Sequence, residues 1–434
     1  MIEDESEIQQ MLPERHSSLS PAGPDVIIVG AGAAGLATAI FLRRQNAQAR
    51  VLVLDGAKRP GAKILVSGGS RCNVTNSVVS EIDFQGGPRP IVRRILRALT
   101  VEDTVAFFRE IGVPLHEEPG GKLFPDTNKS RDVLNALLTE LAQTGCQLVP
   151  EHRVTAIERD GDGFSLSTSQ GHLRSNAVVL ATGGLSLPKT GSDGAGYTFV
   201  RALGHSIVAP TPALVPLLLD DGFHAGLSGV AHEVSLDLWT IGKRAHTLTG
   251  SLLWTHFGVS GPVVLDASRF WLRSRLEHQD MKITVRLCGL DDQALDARLK
   301  ELASAQPRAS LHATLSKLMP AAVAAASLDT LRLDRAATLA HLTRDDRRRL
   351  SLALTAWPLQ IRDSRGYNYA EVTAGGVPLT EIDPATMESR VCPGLYLTGE
   401  ILDADGRIGG FNFQWAWCTA HIAGRALARR IAHT

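Results

Sequence analysis

Three glycines spaced G-x-G-x-x-G, at Gly30, Gly32 and Gly35, lie between an apolar run, Asp25–Gly30 (DVIIVG), and a helix-like run over 33–46. This order suits a phosphate. The first glycine makes a tight turn, the second lets the main chain approach a pyrophosphate, and the third packs helix on strand. Ala33 and Ala34 open the helix, where free N–H groups and the dipole favour an anion. A second apolar run, Val51–Asp55 (VLVLD), delivers Asp55 ahead of Gly56. An acid there accepts the ribose hydroxyls of a dinucleotide and disfavours a 2′-phosphate.

The far end of the chain decides which dinucleotide. Gly394-Leu-Tyr-Leu-Thr-Gly399-Glu400 reads as a strand delivering an acid suited to a ribityl chain. Gly409-Gly410-Phe411-Asn412 follows, then a long helix from about Phe413. Glycines there let main-chain N–H groups approach a flavin's pyrimidine edge, and a helix start aimed at it stabilises reduced flavin. The cofactor expected is therefore FAD. No second G-x-G-x-x-G brings its own strand, helix and acid, so NAD(P)H is expected only as a transient electron donor.

These residues need a scaffold of parallel strands and covering helices. Thr100-Val-Glu-Asp103 is a capping box opening a helix that Gly112 stops, and 131–144 is a second amphipathic helix. Asp160-Gly-Asp-Gly163 marks a hairpin, and Asn176–Thr182 a buried strand running into Gly183-Gly184. Gly61 to Gly69 reads as a glycine-rich loop. The expected class is α/β: a Rossmann-like FAD-binding domain built from both chain ends, 25–204 and 369–434. Between them a β-rich, barrel-like insert is expected over 205–288, with return strands at 351–368. A helical subdomain is expected over 289–350, because no glycine occurs between Gly289 and Gly366 in a chain holding 40. Residues 1–24, acidic and then Ser/Pro/Gly-rich, read as a disordered extension without the apolar middle of a signal peptide.

Composition narrows the partners. Hydrophobic residues make up 44% and no apolar run is long enough for a membrane span, so a cytoplasmic protein is expected. Lys+Arg and Asp+Glu are 45 each, which gives no global case for nucleic acid; Arg89, Arg93, Arg94 and Arg97 cluster, as do Arg347 to Arg349, and because they sit beside acids they read first as solvated helix faces. Five dispersed cysteines without a CxxC pair argue for free thiols and against a metal site. Cys72 and His256 are the candidate proton donors; each also reads as a buried or structural side chain. Arg71 reads either as an anion contact or as half of a structural ion pair.

Taken together, these segments resemble one family. Ser67-Gly-Gly-Ser-Arg-Cys-Asn-Val-Thr-Asn76, Ala181-Thr-Gly-Gly184, Thr190-Gly-Ser-Asp-Gly-Ala-Gly-Tyr197, Pro212-Ala-Leu-Val-Pro216, 253–262, Val372-Thr-Ala-Gly-Gly376, Thr386-Met-Glu-Ser389 and 399–417 are similar to the BaiN/YhiN-type FAD-binding flavoproteins, also called the aminoacetone oxidase family. Ser70 replaces a usual third glycine, and Asp55 a common glutamate. The resemblance implies a cofactor set extended by Lys63, Gly69, Arg71, Cys72, Asn73, Val154, Ala181, Thr182, Gly183 and Gly184. It also implies a reductase acting on an electron-poor C=C bond. Uridine in ribosomal RNA, giving dihydrouridine, is the leading acceptor and a small-molecule enone the next. An O2-using amine oxidase and a non-enzymatic flavin-binding RNA-interaction or redox-sensing protein are the alternatives. The expected partners are accordingly a small-molecule or nucleobase substrate and ribosomal RNA, with no membrane.

Overall fold

A computed structural model describes residues 23–433, so all but two residues of the expected N-terminal extension lie outside the described residues. The chain divides into two units: one comprises the residues up to Pro210 together with those from Glu371 onward, and the other is Thr211–Ala370. The divisions fall several residues after the expected 204 and two after the expected 368.

The first unit is organised by a five-stranded parallel sheet. Its strands are β1 (Val26–Val29), β2 (Val51–Leu54), β3 (Gln147–Val149), β4 (Ala177–Leu180) and β5 (Leu395–Leu397), in the spatial order β5-β4-β1-β2-β3. Four of them are near-continuous Val/Ile/Leu runs, as strands covered on both faces require. From β1 the chain passes through α1 (Ala33–Gln45) to β2 on one side, while β4 lies on the other. This is a topological switch point, where open α/β sheets bind ligands at the carboxyl edge of their strands. Parallel strands bring the loops after β1, β4 and β5 to that edge, although β5 comes from the far end of the chain.

Helix α1 is buried continuously from Ala34 to Leu42. It can be, because its first ten residues carry no charge. The last helix, α2 (Phe411–Ala432), packs along it. Gly424 makes that approach possible: a Cβ there would lie 2.9 Å from the Leu42 amide nitrogen and 3.0 Å from the Thr38 carbonyl oxygen. Helix α2 begins at Phe411, two residues before the sequence reading placed it. The capping box holds as expected, with Thr100 Oγ1 accepting the Asp103 N–H at 3.1 Å and Asp103 accepting the Thr100 N–H at 3.0 Å. Strands Val154–Asp160 and Gly163–Thr168 form the hairpin, with Asp160 opposite Gly163. The glycine-rich stretch is a loop only in part. Residues from Ala62 are helical, and the helix breaks at Ser67–Gly69, where Gly68 and Gly69 take positive φ.

The second unit holds a seven-stranded antiparallel sheet in the order Trp357–Pro358, Met281–Arg286, Ala231–Thr240, Lys243–Thr255, Gly258–Ser260, Leu217–Leu219, Ile361–Ser364. Both edges belong to one continuous segment. Trp357 pairs with Val285, and Ile361 with Leu219 four residues later, so the segment brings the ends of the sheet together. Helices Asp292–Ala305, Ala321–Thr330 and Arg344–Thr355 pack on it around buried leucines such as Leu295, Leu299, Leu350 and Leu354. Two corrections arise here. Arg344–Thr355 overruns the expected limit at 350, and the expected β-rich stretch contains the helix Pro262–Leu276. Its start, Gly-Pro, reads as a turn in sequence, but Pro at the first helical position is preset for a helix.

Among the described residues no helix is long and apolar enough to cross a membrane. Gly424→Leu should push α2 off α1, destabilising the first unit by about 2 kcal/mol through overpacking. A lower urea midpoint with FAD removed is the expected result, and an unchanged midpoint would mean that the two helices do not meet this closely.

Candidate FAD site

The three glycines of the first loop have different reasons to be glycine. Gly30 has φ +103, and a Cβ on it would stand 2.5 Å from the Ala181 carbonyl oxygen, so it lets the loops after β1 and β4 touch. A Cβ on Gly35 would run into the Gly30 carbonyl. Gly32 is different: a Cβ there meets nothing within 4 Å. Gly32 is the N-cap of α1, with no side-chain cap and no acid in the first turn. The space beside Gly32 is thus open at a helix start whose first-turn N–H groups and dipole favour an anion, as a pyrophosphate requires.

Asp55 ends β2 and braces the same loop. Its Oδ2 accepts the Ala31 N–H at 2.7 Å and its Oδ1 the Ala57 N–H at 2.8 Å. Burial pushes its carboxyl above the usual range, offset in part by those N–H groups and by Arg153. Gly56 lets Arg153 lie close, since a Cβ would stand 3.2 Å from Arg153 Cβ. Val154, buried, follows Arg153 at the start of the hairpin sheet.

The loop after β5 reaches the same place. Gly399, at φ +74, abuts α1, with a Cβ position 2.8 Å from Ala34 Cβ. Its N–H donates to Thr419 Oγ1 at 3.0 Å, and its carbonyl accepts from Trp415 Nε1 at 3.1 Å. Glu400 is already held on several sides. Its Oε2 pairs with Lys63 Nζ at 2.5 Å, and its Oε1 accepts from Ser186 Oγ at 2.8 Å and from the Thr373 N–H at 3.0 Å. Lys63 also bonds Ser186 Oγ. The acid expected to face a ribityl chain therefore clasps the three segments around Lys63, Ser186 and Thr373. A Cβ on Gly184 would crowd Glu400 Oε1 at 2.9 Å, and one on Gly183 would lie 2.6 Å from Ser192 Oγ.

Gly409 and Gly410 start α2 at φ +126 and +94. The Gly409 carbonyl accepts from Asn76 Nδ2 at 3.0 Å. A Cβ on Gly410 would overlap the Thr75 main chain, so Gly410 serves the packing of the helix start against that segment. Phe411 lies in the core against Phe84, and Asn412 bonds both main-chain groups of Gly406, at 2.8 and 2.9 Å. Phe411 therefore has only its main chain left to meet a ligand.

Three further candidates have these surroundings. Arg71 pairs with Glu118 at 2.5 Å, reaches Asn128 Oδ1 and lies 4.0 Å over the Phe124 ring, as its reading as half of a structural ion pair expects. Cys72 is fully buried, and burial pushes its thiol up to about 12. A thiol so placed neither meets solvent nor gives up a proton readily. His256 is exposed in the two-residue turn between Thr255 and Gly258, in the second unit, and stacks edge-on with Phe257.

Several buried polar atoms of the first unit have no hydrogen-bond partner. Asn73 Oδ1, Thr182 Oγ1, Ser192 Oγ and Thr398 Oγ1 are buried with no protein partner. Buried polar atoms normally find one, so these atoms and the open face at Gly32 fit a large polar cofactor. Sequence reading missed Ser186, Ser192 and Thr398. Each is a small hydroxyl next to a glycine-bearing turn, a pattern that turn chemistry alone also explains.

The model of the HI0933-like protein Rossmann domain matches residues 24–426. The chain belongs to that family. The HI0933-like chain is 31% identical to the 3-dehydro-bile acid delta(4,6)-reductase of Clostridium scindens over 93% of its length and 98% of the relative's. It is 33% identical to the ribosomal RNA dihydrouridine synthase of Escherichia coli over 91% and 96% of the two chains. Among solved structures a quinol-fumarate reductase superposes with TM-score 0.50 at 17% identity, covering 94% of this chain and 71% of that one, a likeness of fold. The HI0933-like chain is an FAD-dependent oxidoreductase.

Gly30 and Gly32 can be separated experimentally. In Gly32→Ala, FAD affinity should fall about tenfold or more, some 1.4 kcal/mol, while the FAD-stripped protein changes by less than about 1 kcal/mol. Gly30→Ala, with a strained φ and a blocked Cβ, should instead lose roughly 3 kcal/mol of stability. Fluorescence titration with FAD and urea unfolding of the stripped proteins measure both; equal destabilisation would remove Gly32 from the ligand face.

Proposed function

We propose that this flavoprotein reduces an electron-poor C=C bond, that its acceptor is uridine in ribosomal RNA, giving dihydrouridine, and that NAD(P)H supplies the electrons in the cytoplasm. The observation carrying this reading is the match to a ribosomal RNA dihydrouridine synthase along nearly the whole of both chains. A small-molecule enone is the second reading, favoured by the comparable match to a bile acid reductase.

Bound FAD supplies hydride transfer between donor and acceptor. The chain's own residues do the holding. Gly32 and the start of α1 would take the pyrophosphate, and Asp55 would accept from the adenosine ribose hydroxyls. Asn73, Thr182, Ser192 and Thr398 offer buried hydrogen-bonding atoms to the cofactor. The Lys63–Glu400–Ser186 cluster fixes the loops on either side. Lys63 is the cation of this cluster, its side chain 27% exposed, so it orients polar groups of a ligand while Glu400 holds it in place. The start of α2 carries partial positive charge of roughly half an elementary unit, which would favour the anionic form of a reduced flavin held there. Cys72 has no part in proton delivery in this reading, because its sulfur is sealed in the core.

Anaerobic incubation with NADPH or NADH and ribosomal RNA from cells lacking the protein should produce dihydrouridine, detected by nucleoside mass spectrometry. Bleaching of the flavin by NAD(P)H with product only from a steroid enone would move the assignment to the second reading. Peroxide release with a small amine, and no bleaching by NAD(P)H, would overturn both. Cys72→Ala should retain FAD and turn over within about threefold of the parent, a change of about 0.65 kcal/mol in the barrier. Loss of product with normal bleaching would return the thiol to the mechanism.

A further inference from the structure

The helix Arg89–Leu96 is built with more positive charge than its own stability uses. Val92, Ile95 and Leu96 are buried, while Arg89, Arg93, Arg94 and the following Arg97 are exposed. Arg89, Arg93 and Arg97 recur every four residues, so they share one stripe, with Arg94 beside it. Among the described residues, of these four only Arg93 is matched by an ion pair, to Glu81 at 2.5 Å. Arg97 lies within electrostatic reach of the same Glu81. Among the described residues, Arg89 and Arg94 have no carboxylate partner. Arg89 also stands at the first helical position, in a first turn without an acid. A cation there is disfavoured by the helix dipole, so helix stability does not account for it.

This stripe is fastened to the flavin-edge loop. Strand Phe84–Gly86, just before the helix, pairs with Ala404–Gly406, and the Gly87 N–H donates to the Asp403 carbonyl at 2.8 Å. Asp83 accepts from Arg407 Nε at 2.7 Å, and Arg407 lies 4.2 Å over the Phe411 ring, two residues before Gly409. At the other end Leu99 O accepts from Gln414 Nε2 of α2 at 3.0 Å. A row of guanidinium groups is thus mounted directly on the elements that carry the start of α2.

We propose that Arg89, Arg94 and Arg97 dock the phosphate backbone of the RNA that presents its uridine to the flavin; this rests on the RNA reading above. The charge complementarity is local: the chain as a whole is neutral, with 45 basic and 45 acidic residues. A uridine within a polynucleotide carries phosphates on both sides, so the surface beside the redox edge must hold them without reading sequence. Guanidinium groups do this, each releasing counterions on contact. A free nucleoside or a steroid would have no use for the stripe.

The test compares the holoenzyme with the triple variant Arg89→Gln/Arg94→Gln/Arg97→Gln, using deproteinised ribosomal RNA. A control variant, Arg298→Gln/Arg344→Gln/Arg348→Gln, removes the same charge from the helices of the second unit. The stripe variant should keep its FAD and its bleaching by NAD(P)H. Its RNA affinity should fall tenfold or more at low salt, and the slope of log affinity against log salt should shrink by about 2, as three lost contacts to single-stranded phosphates predict. Dihydrouridine formation should fall through KM, with kcat nearly unchanged.

If the parent binds RNA and makes dihydrouridine while the stripe variant matches it, this surface is wrong and the RNA reading stands. An equal loss in the control variant also overturns the surface, because general charge then suffices. If the parent neither binds RNA nor modifies it, the RNA reading falls and takes this proposal with it. A stripe variant impaired only in binding anionic phospholipid vesicles would assign the stripe to a membrane and overturn the RNA role.

Discussion

The last helix grips both main-chain groups of Gly399: Thr419 accepts its N–H and Trp415 donates to its carbonyl. Everything at the dinucleotide edge depends on that grip. Gly399 abuts Ala34 at the start of α1 and precedes Glu400, so one residue joins the phosphate loop to the polar cluster. The same helix reaches Thr75 through Gln414 at 2.7 Å and the Val74 carbonyl through Trp417 at 2.9 Å. Closing a loop of roughly 370 residues costs on the order of 5 kcal/mol of chain entropy beyond a constant. Trp415, Trp417 and Phe411 are all buried, and each large apolar side chain contributes about 1.5–3 kcal/mol. Their burial offsets the closure, which explains how an edge can be assembled from opposite ends of a chain.

The parts of this arrangement legible in the sequence are those that a short segment decides by itself. A run such as VIIV followed by G-x-G-x-x-G dictates strand, turn and helix within about twenty residues, and the Thr100–Asp103 box dictates a helix start within four. Gly424 was not legible. A glycine in the middle of a helix is a mild defect on propensity alone, and only the passing α1 main chain explains it. Gly410 shows the same limit from the other side. Its position at a helix start suggests a ligand, but the Thr75 main chain already occupies the space a side chain would need. The helix Pro262–Leu276 was hidden because its Val-Val-Leu start has the β-branched character of a strand.

Glu400 is the instructive case among the site residues. Sequence spacing placed an acid beside the flavin loops but not the atoms it would meet. The structure surrounds that carboxylate with Lys63, Ser186 and the Thr373 N–H. A partly buried carboxylate with one cation and two further donors is fixed in orientation, because three of its roughly four lone-pair sites are taken. Such a group cannot swing toward a ligand without leaving Lys63 unpaired. It acts best as a post that holds Lys63 and the loops at Ser186 and Thr373 in register.

This division bears on how one cofactor edge serves different acceptors. The glycines at Gly30, Gly35 and Gly410 are constrained by protein main chain, so altering them changes the fold before it changes the substrate. Gly32 is not constrained by protein atoms, since a Cβ there meets nothing within 4 Å. None of these positions can distinguish a nucleobase from a steroid, since both meet the same flavin. Discrimination must come from side chains outside the cofactor's reach, where an arginine added to an exposed helix costs the fold little. A polynucleotide differs from a steroid above all in its phosphates, which lie beyond the reacting base. The distinguishing contacts are therefore expected at the rim of the site, on elements tied to it but not part of it, and the helix Arg89–Leu96 meets that description.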